Sequence, residues 1–194
     1  ITGSGQDGGN CSGNVQNAGI RLDGNNSSIS NNIIFSNGGP GLVLAGGNTS
    51  GNLISRNSFY ANGTVSDALG IDLDNSDAMG DGVTLNDSGD ADAGPNGSIN
   101  FPLISGAYLA GPNLVVEGWS RPGATIEWFL TDITEGTATV GDNQLGLIND
   151  YGEGQTFIGS FVEGSASDTD TNTSSYTDND GNTDNTNKFK FSIP

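Results

Sequence analysis

Aspartates crowd one stretch of this chain. Asp72, Asp74, Asp77, Asp81, Asp87, Asp90 and Asp92 fall between positions 72 and 92, where there is no Lys or Arg. The segment Asn86–Asn96 reads NDSGDADAGPN, with carboxylates at Asp87, Asp90 and Asp92 and a carboxamide at Asn96. Its glycines let several side chains bend toward one centre. A hard cation wants that arrangement, since Ca²⁺ takes six to eight oxygen ligands at about 2.3–2.6 Å. A second acidic group, Asp178, Asp180 and Asp184, lies in DNDGNTD, with Asp168 and Asp170 upstream. Neither group has EF-hand spacing, because Thr183 stands where the sixth loop position requires Gly. Ca²⁺ is the expected cofactor at both, and the alternative is a solvated turn whose Asp side chains cap the backbone.

Other chemistry is scarce. The chain has no His, which removes His-based triads, His-ligated zinc and proton shuttling by imidazole. Cys11 is the single cysteine, so no intramolecular disulfide forms, and no neighbouring group marks it as a reactive thiol. Paired carboxylates can hydrolyse glycosides, and Asp72 with Asp74 is the pair to test. A lyase wants a basic residue beside an acidic sugar, yet only Arg21 and Arg56 occur in the first third, with no basic cluster around either. No catalytic residue is expected. Trp119, Trp128, Tyr151 and Tyr176 could stack on sugars, but Trp128 sits in a strict alternation and reads as core. Tyr151 and Tyr176 read as loop residues. The Asn-x-Ser/Thr triplets at Asn25, Asn48 and Asn62 follow from composition and need no glycan.

Charge narrows the partners. Lys plus Arg is 5 against 23 Asp plus Glu, a formal net charge of −18. Such a surface repels nucleic-acid phosphates and anionic lipid headgroups, so neither is an expected partner. No apolar run approaches the roughly 18 residues that cross a bilayer, which argues against membrane insertion. The chain opens on Ile1 rather than Met, without a signal-peptide apolar region, and reads as a piece of a larger or processed protein.

The elements that would position these residues are written as short strands and turns. Two phrases recur in the same order. Gly19-Ile20-Arg21-Leu22 returns as Gly41-Leu42-Val43-Leu44 and as Gly70-Ile71-Asp72-Leu73, at offsets of 22 and 29. Ile29 through Gly38 returns as Ile54 through Gly63, at an offset of 25. Repeats of this length suit the stacked turns of a parallel β-helix, not helical hairpins of about 33 residues or more. Alternation points Ile20, Leu22, Leu42, Leu44, Ile71 and Leu73 inward. Ile29 with Ile54 and Phe35 with Tyr60 stack on other walls, while Asn32 with Asn57 and Asn37 with Asn62 are placed to ladder through their amides.

The writing then changes. Residues 86–101 form an acidic Gly/Asp/Pro junction, and from residue 102 aromatic period-2 patterns take over: Ile126-x-Trp128-x-Leu130, Phe157-x-Gly159-x-Phe161 and Phe189-x-Phe191-x-Ile193. The Arg121-Pro122-Gly123 turn reads as a hairpin, and residues 132–152 and 164–187 as long loops. The expected fold class is all-β: a short right-handed parallel β-helix over 1–85, truncated at its N-terminus, then an immunoglobulin-like antiparallel β-sandwich over 102–194.

The stretches GIDLDN, DGVTLNDSGDADAGPNGSINFPLISGA and DYGEGQTFIGSF, with the closing DGNTDNTNKFKFSIP, resemble bacterial secreted surface proteins of the Bacteroidota type. In that family, parallel β-helix repeats join an immunoglobulin-like module. The resemblance covers nearly the whole chain and implies a multi-repeat protein at the cell surface or exported, with no agreed activity. The expected function is a non-enzymatic structural or adhesive segment, extracellular and stiffened by calcium. Its expected partners are a cell-surface or extracellular matrix polymer, such as a glycan, and neighbouring repeats of the same chain. The alternative is a carbohydrate-binding or polysaccharide-processing module, lyase- or hydrolase-like.

Overall fold

Short apolar triplets separated by Asn and Gly can extend but cannot sustain a helix, and the computed structural model is all-β accordingly. It describes residues 1–2, 17–47, 49–64, 69–74, 84, 86–87, 91, 93–131, 153–177 and 183–194. The strands are β1 (Ile20–Leu22), β2 (Ser28–Ser30), β3 (Ile33–Phe35), β4 (Leu42–Ala45), β5 (Leu53–Ser55), β6 (Ser58–Tyr60), β7 (Ile71–Asp74), β8 (Leu103–Ala110), β9 (Asn113–Ser120), β10 (Thr125–Leu130), β11 (Thr156–Val162), β12 (Thr173–Thr177) and β13 (Thr183–Ile193). A 3-10 turn covers Pro95–Ser98, and there is no α-helix among the described residues.

The repeated phrases pair with one another in parallel. β1, β4 and β7 form one sheet, with Ile20 opposite Leu42 and Leu42 opposite Ile71. β2 pairs with β5, setting Ile29 opposite Ile54, and β3 pairs with β6, setting Phe35 opposite Tyr60. Left-handed residues mark the corners at matching points: Asn26 with Gly51, Asn31 with Arg56, and Ser36 with Ala61, all at φ between 52° and 70°. That conformation costs an L-residue roughly 1–2 kcal/mol in helical geometry, so Ser36, Arg56 and Ala61 hold it against their own preference. What surrounds them is a packed core. Ile34, Leu42, Leu44 and Phe59 are buried, and Ile20, Leu22, Ile29, Ile54 and Leu73 pack against them.

One expectation on β7 is overturned. Alternation placed Ile71 inside and Asp72 outside, whereas Ile71 is 40% exposed and Asp72 is 1% exposed. The cause lies in β4, which is buried on both faces: Val43 and Ala45 form a second cluster with Ala18. Asp72 is in register with Val43 and so continues a column that is covered.

The other strands are antiparallel. β12, β13, β9 and β8 form a four-stranded sheet in that order, and β10 pairs with β11. Val116, Phe189, Phe191 and Ile193 from the larger sheet share a buried cluster with Ile126, flanked by Trp128, Ile158 and Phe161. Phe189 and Phe191 are fully buried, as their alternation with Lys188 and Lys190 requires. Gly118 is forced: a Cβ there would stand 1.9 Å from the Leu103 carbonyl oxygen. Leu130, expected to face inward, is 58% exposed. Arg121-Pro122-Gly123 does turn the chain, with the Ala124 N–H donating to the Arg121 carbonyl at 3.1 Å, but it closes no hairpin. Both edges of β9 are already taken by β8 and β13, so β10 leaves for the other sheet.

The chain divides into two units. One comprises residues 1–84, 93–98 and 129–157; the other comprises 85–92, 99–128 and 158–194. Residues 129–157, read from sequence as part of the second domain, group with the first unit. The junction read at 86–101 is split between the two.

Candidate functional site: a polar ladder and its last rungs

Asparagines recur every five residues at Asn52, Asn57 and Asn62, each just after a left-handed corner, and all three are buried. Their amides repeat one bonding pattern. The Ser27 N–H donates to Asn52 Oδ1 at 2.9 Å, and the Asn32 N–H and Nδ2 both donate to Asn57 Oδ1 at 3.0 Å. The Asn37 N–H and Nδ2 donate to Asn62 Oδ1 at 3.3 and 2.8 Å. Each acceptor then donates its own Nδ2 to the preceding repeat: Asn52 to the Gly24 carbonyl, Asn57 to that of Ile29, and Asn62 to that of Ile34. Outside this column Phe35 and Tyr60 stack at 4.8 Å with planes 13° apart. Each ring covers one face of the other.

Two distant segments supply the final rungs. Asn96, at φ 51°, accepts from the Asn52 N–H at 3.1 Å and donates Nδ2 to the Asn52 carbonyl at 2.8 Å. Glu153, 6% exposed, accepts from the Asn62 N–H through Oε2 and from Asn62 Nδ2 through Oε1, both at 2.8 Å. The chain beyond it runs along β6: the Phe59 N–H donates to the Gly154 carbonyl at 3.0 Å and the Ser58 hydroxyl to that of Gln155 at 2.6 Å. Arg56 lies over the Phe157 ring at 5.1 Å.

The expected calcium ligands fare differently. Asp90, Asp92, Asp178 and Asp180 lie outside the described residues. Both carboxylate oxygens of Asp87 accept from the Ala91 N–H at 3.0 Å, and its backbone pairs with the Asn100 side chain. Asn96 belongs to the ladder, and Asp87 belongs to the other unit. Asp184 sits on β13 opposite Tyr176 of β12, so both lie on paired strands where loops were read. Among the described residues no three acidic or thiol groups gather as metal ligands.

Two other buried carboxylates also face backbone. Asp168 accepts from the N–H groups of Gly164, Asp170 and Lys190 at 3.0, 3.1 and 2.9 Å, fastening its turn to β13. Glu163 accepts from the Gly123 N–H at 2.6 Å. Asp72 is buried on β7, and Asp74 ends the same strand. Cys11, Tyr151 and the loop 132–152 lie outside the described residues. On the antiparallel unit, Trp128 packs edge-on against Phe189. Trp119 donates its indole N–H to Ser174 and lies under Lys188. Lys190 pairs with Glu117 at 3.0 Å, and hydrogen bonding to Tyr108 and then Glu117 raises its ammonium above the usual lysine range.

Sequence reasoning missed Glu153, Glu163 and Asn52. The five-residue recurrence would have found Asn52; no local pattern marks the two glutamates. No described helix is long and apolar enough to cross a membrane. Compared with known proteins, the chain matches no family model and no solved structure.

Proposed function

We propose that this chain is a non-enzymatic structural or adhesive segment of a large extracellular bacterial surface protein. In this reading the parallel strands are coils of a short right-handed β-helix and the antiparallel unit is an immunoglobulin-like sandwich. Its partners are a cell-surface or matrix polymer and neighbouring repeats of the same chain. One observation carries it: three buried carboxylates and the laddered asparagines are spent on main chain and on one another. Glu153, Glu163 and Asp168 accept from main-chain N–H groups, and the buried asparagines join one repeat to the next. Carboxylates held this way stiffen a scaffold. A screen of uronic-acid polymers and neutral glycans, with and without Ca²⁺, is expected to give no turnover. Reproducible cleavage abolished by Asp72→Asn overturns the assignment.

Calcium belongs to the proposal as a stiffener of the acidic loop, through Asp87, Asp90 and Asp92. A cation held at a hundred times its Kd stabilises the folded state by about 2.7 kcal/mol. Chelation at matched ionic strength is therefore expected to lower Tm. Ca²⁺ restores it better than Mg²⁺, which dehydrates reluctantly and demands a tighter octahedron. The recovery is smaller in Asp90→Asn. An unchanged melting curve on chelation reduces the loop to a solvated turn.

Glycan binding is the second reading, and one observation favours it. Tyr108 presents an aromatic ring that is 44% exposed on the antiparallel sheet, though Lys190 lies over one of its faces.

A further inference from the structure

The two ends of the ladder differ. In every rung an N–H of the earlier residue donates to the side-chain oxygen of the later one: Ser27 to Asn52, Asn32 to Asn57, Asn37 to Asn62, Asn52 to Asn96 and Asn62 to Glu153. Each later Asn returns its Nδ2 to an earlier carbonyl. Glu153 differs from the other acceptors, because an ionised carboxylate has no proton to return. At the other end, Asn32 donates through its N–H and Nδ2, but its Oδ1 accepts nothing from the described residues. The equivalent atom of the next repeat, Asn57 Oδ1, accepts two hydrogen bonds. The apolar residues of this early edge, Ile20, Leu22 and Ile29, are only partly buried, whereas Leu42 and Leu44 are fully buried. One fragment of an earlier rung is already in place. Thr2 bridges Phe35 in parallel, the Ile1 N-terminus donates to the Ile33 carbonyl at 2.7 Å, and the Phe35 N–H donates to the Ile1 carbonyl at 3.0 Å.

We infer that the β2–β3 edge is a docking surface for one more parallel rung with an Asn at its corner, whose N–H and Nδ2 fill Asn32 Oδ1. The inference rests on the reading of the parallel strands as stacked repeats, and it gives that stack an open end and a closed one. The occupant is a segment written like residues 28–33 and joined directly ahead of Ile1. Continuing the Thr2–Phe35 register backward puts the residue two before Ile1 opposite Asn32. A second copy of the chain fits the edge poorly, because its late end is occupied by Glu153 and Asn96, and each copy carries −18.

The test appends Ser-Ile-Ser-Asn-Asn-Ile, a copy of residues 28–33, ahead of Ile1 in the full chain. A Gly/Ser extension of equal length is the control. The copied rung is expected to raise Tm above the control by about 2–4 °C, the shift that 1 kcal/mol gives a chain of this size. Its Asn amide is expected to be protected from hydrogen exchange. Asn32→Ala should reduce the gain, measured against Asn32→Ala carrying the control extension. Equal Tm values for the two extensions overturn the inference. So does a gain that scales with protein concentration, which assigns the edge to a second copy. The Leu42→Asp variant described below separates the two failures: if it unfolds the repeats while the copied rung gains nothing, the stack stands and only its open end is lost.

Discussion

Leu42→Asp is expected to unfold the repeat unit. Leu42 is fully buried among Ile34, Leu44 and Phe59, one strand from Ile20 and from Ile71 in the parallel sheet. There is no room to turn away: even a Cβ on the neighbouring Gly41 would stand 2.5 Å from a Phe59 ring carbon and 2.7 Å from the Gly70 carbonyl. The substitution loses the packing of a leucine, about 2–5 kcal/mol by the usual large-to-small scale. It also leaves an unpaired carboxylate in an apolar core, at an effective penalty of several kcal/mol. Total stabilities run at about 5–15 kcal/mol, so the sum is comparable to the whole. Hydrogen exchange of the β4 and β6 amides is the readout, because both tryptophans lie in the other unit. Native protection in Leu42→Asp would sink the stacked-repeat reading.

Asn62→Ala is expected to have the largest effect of any polar truncation in the ladder. The side chain is fully buried and accepts from the Asn37 N–H and Nδ2 while donating to the Ile34 carbonyl and Glu153 Oε1. Alanine strands all of these partners at once. Each buried polar group left without a partner costs roughly 1–3 kcal/mol, and more when it is charged. A total near 3 kcal/mol, partly relieved by water, corresponds to a Tm lower by about 6–12 °C at this size. Asn31→Gly is the control: Asn31 is exposed at φ 57°, a conformation glycine adopts freely, and it should melt close to wild type. The denaturation midpoints of the two variants decide the matter. If they coincide, the amides are decoration.

The repeats were legible because similar short phrases recur, and a parallel pairing needs only their offset. Ile29 meets Ile54 and Phe35 meets Tyr60 as the text of the chain implies. β13 was legible for a similar reason, since Phe189, Phe191 and Ile193 declare one face. β8 was not. LISGAYLA has no alternation to read, because six of its eight residues are exposed at the edge of its sheet. Tyr176 and Asp184 read as loop because polar residues surround them, yet backbone pairing to β13 carries β12 without an apolar face. Glu153 was out of reach on two counts: it lies 91 residues from Asn62, and it replaces an amide with a carboxylate. Of the acidic loop, the sequence exposes carboxylate density but not direction. Asp87 is turned toward Ala91, and Asn96 toward a neighbouring asparagine.

The ladder also governs how the molecule ages. Asn37, Asn62 and Asn96 are each followed by glycine, the pair most open to deamidation through attack of the next backbone nitrogen on the side-chain carbonyl. In the fold that route is obstructed at Asn62, whose carboxamide is held on both sides and whose following nitrogen, on Gly63, donates to the Gly39 carbonyl at 3.0 Å. Opening the ladder releases both groups. An aspartate formed at position 62 could no longer donate to Glu153 and would set a second negative charge against it. Each excursion from the native state thus carries a chemical hazard, and because deamidation is slow beside opening and closing, the rate of ageing follows the equilibrium population of the opened ladder.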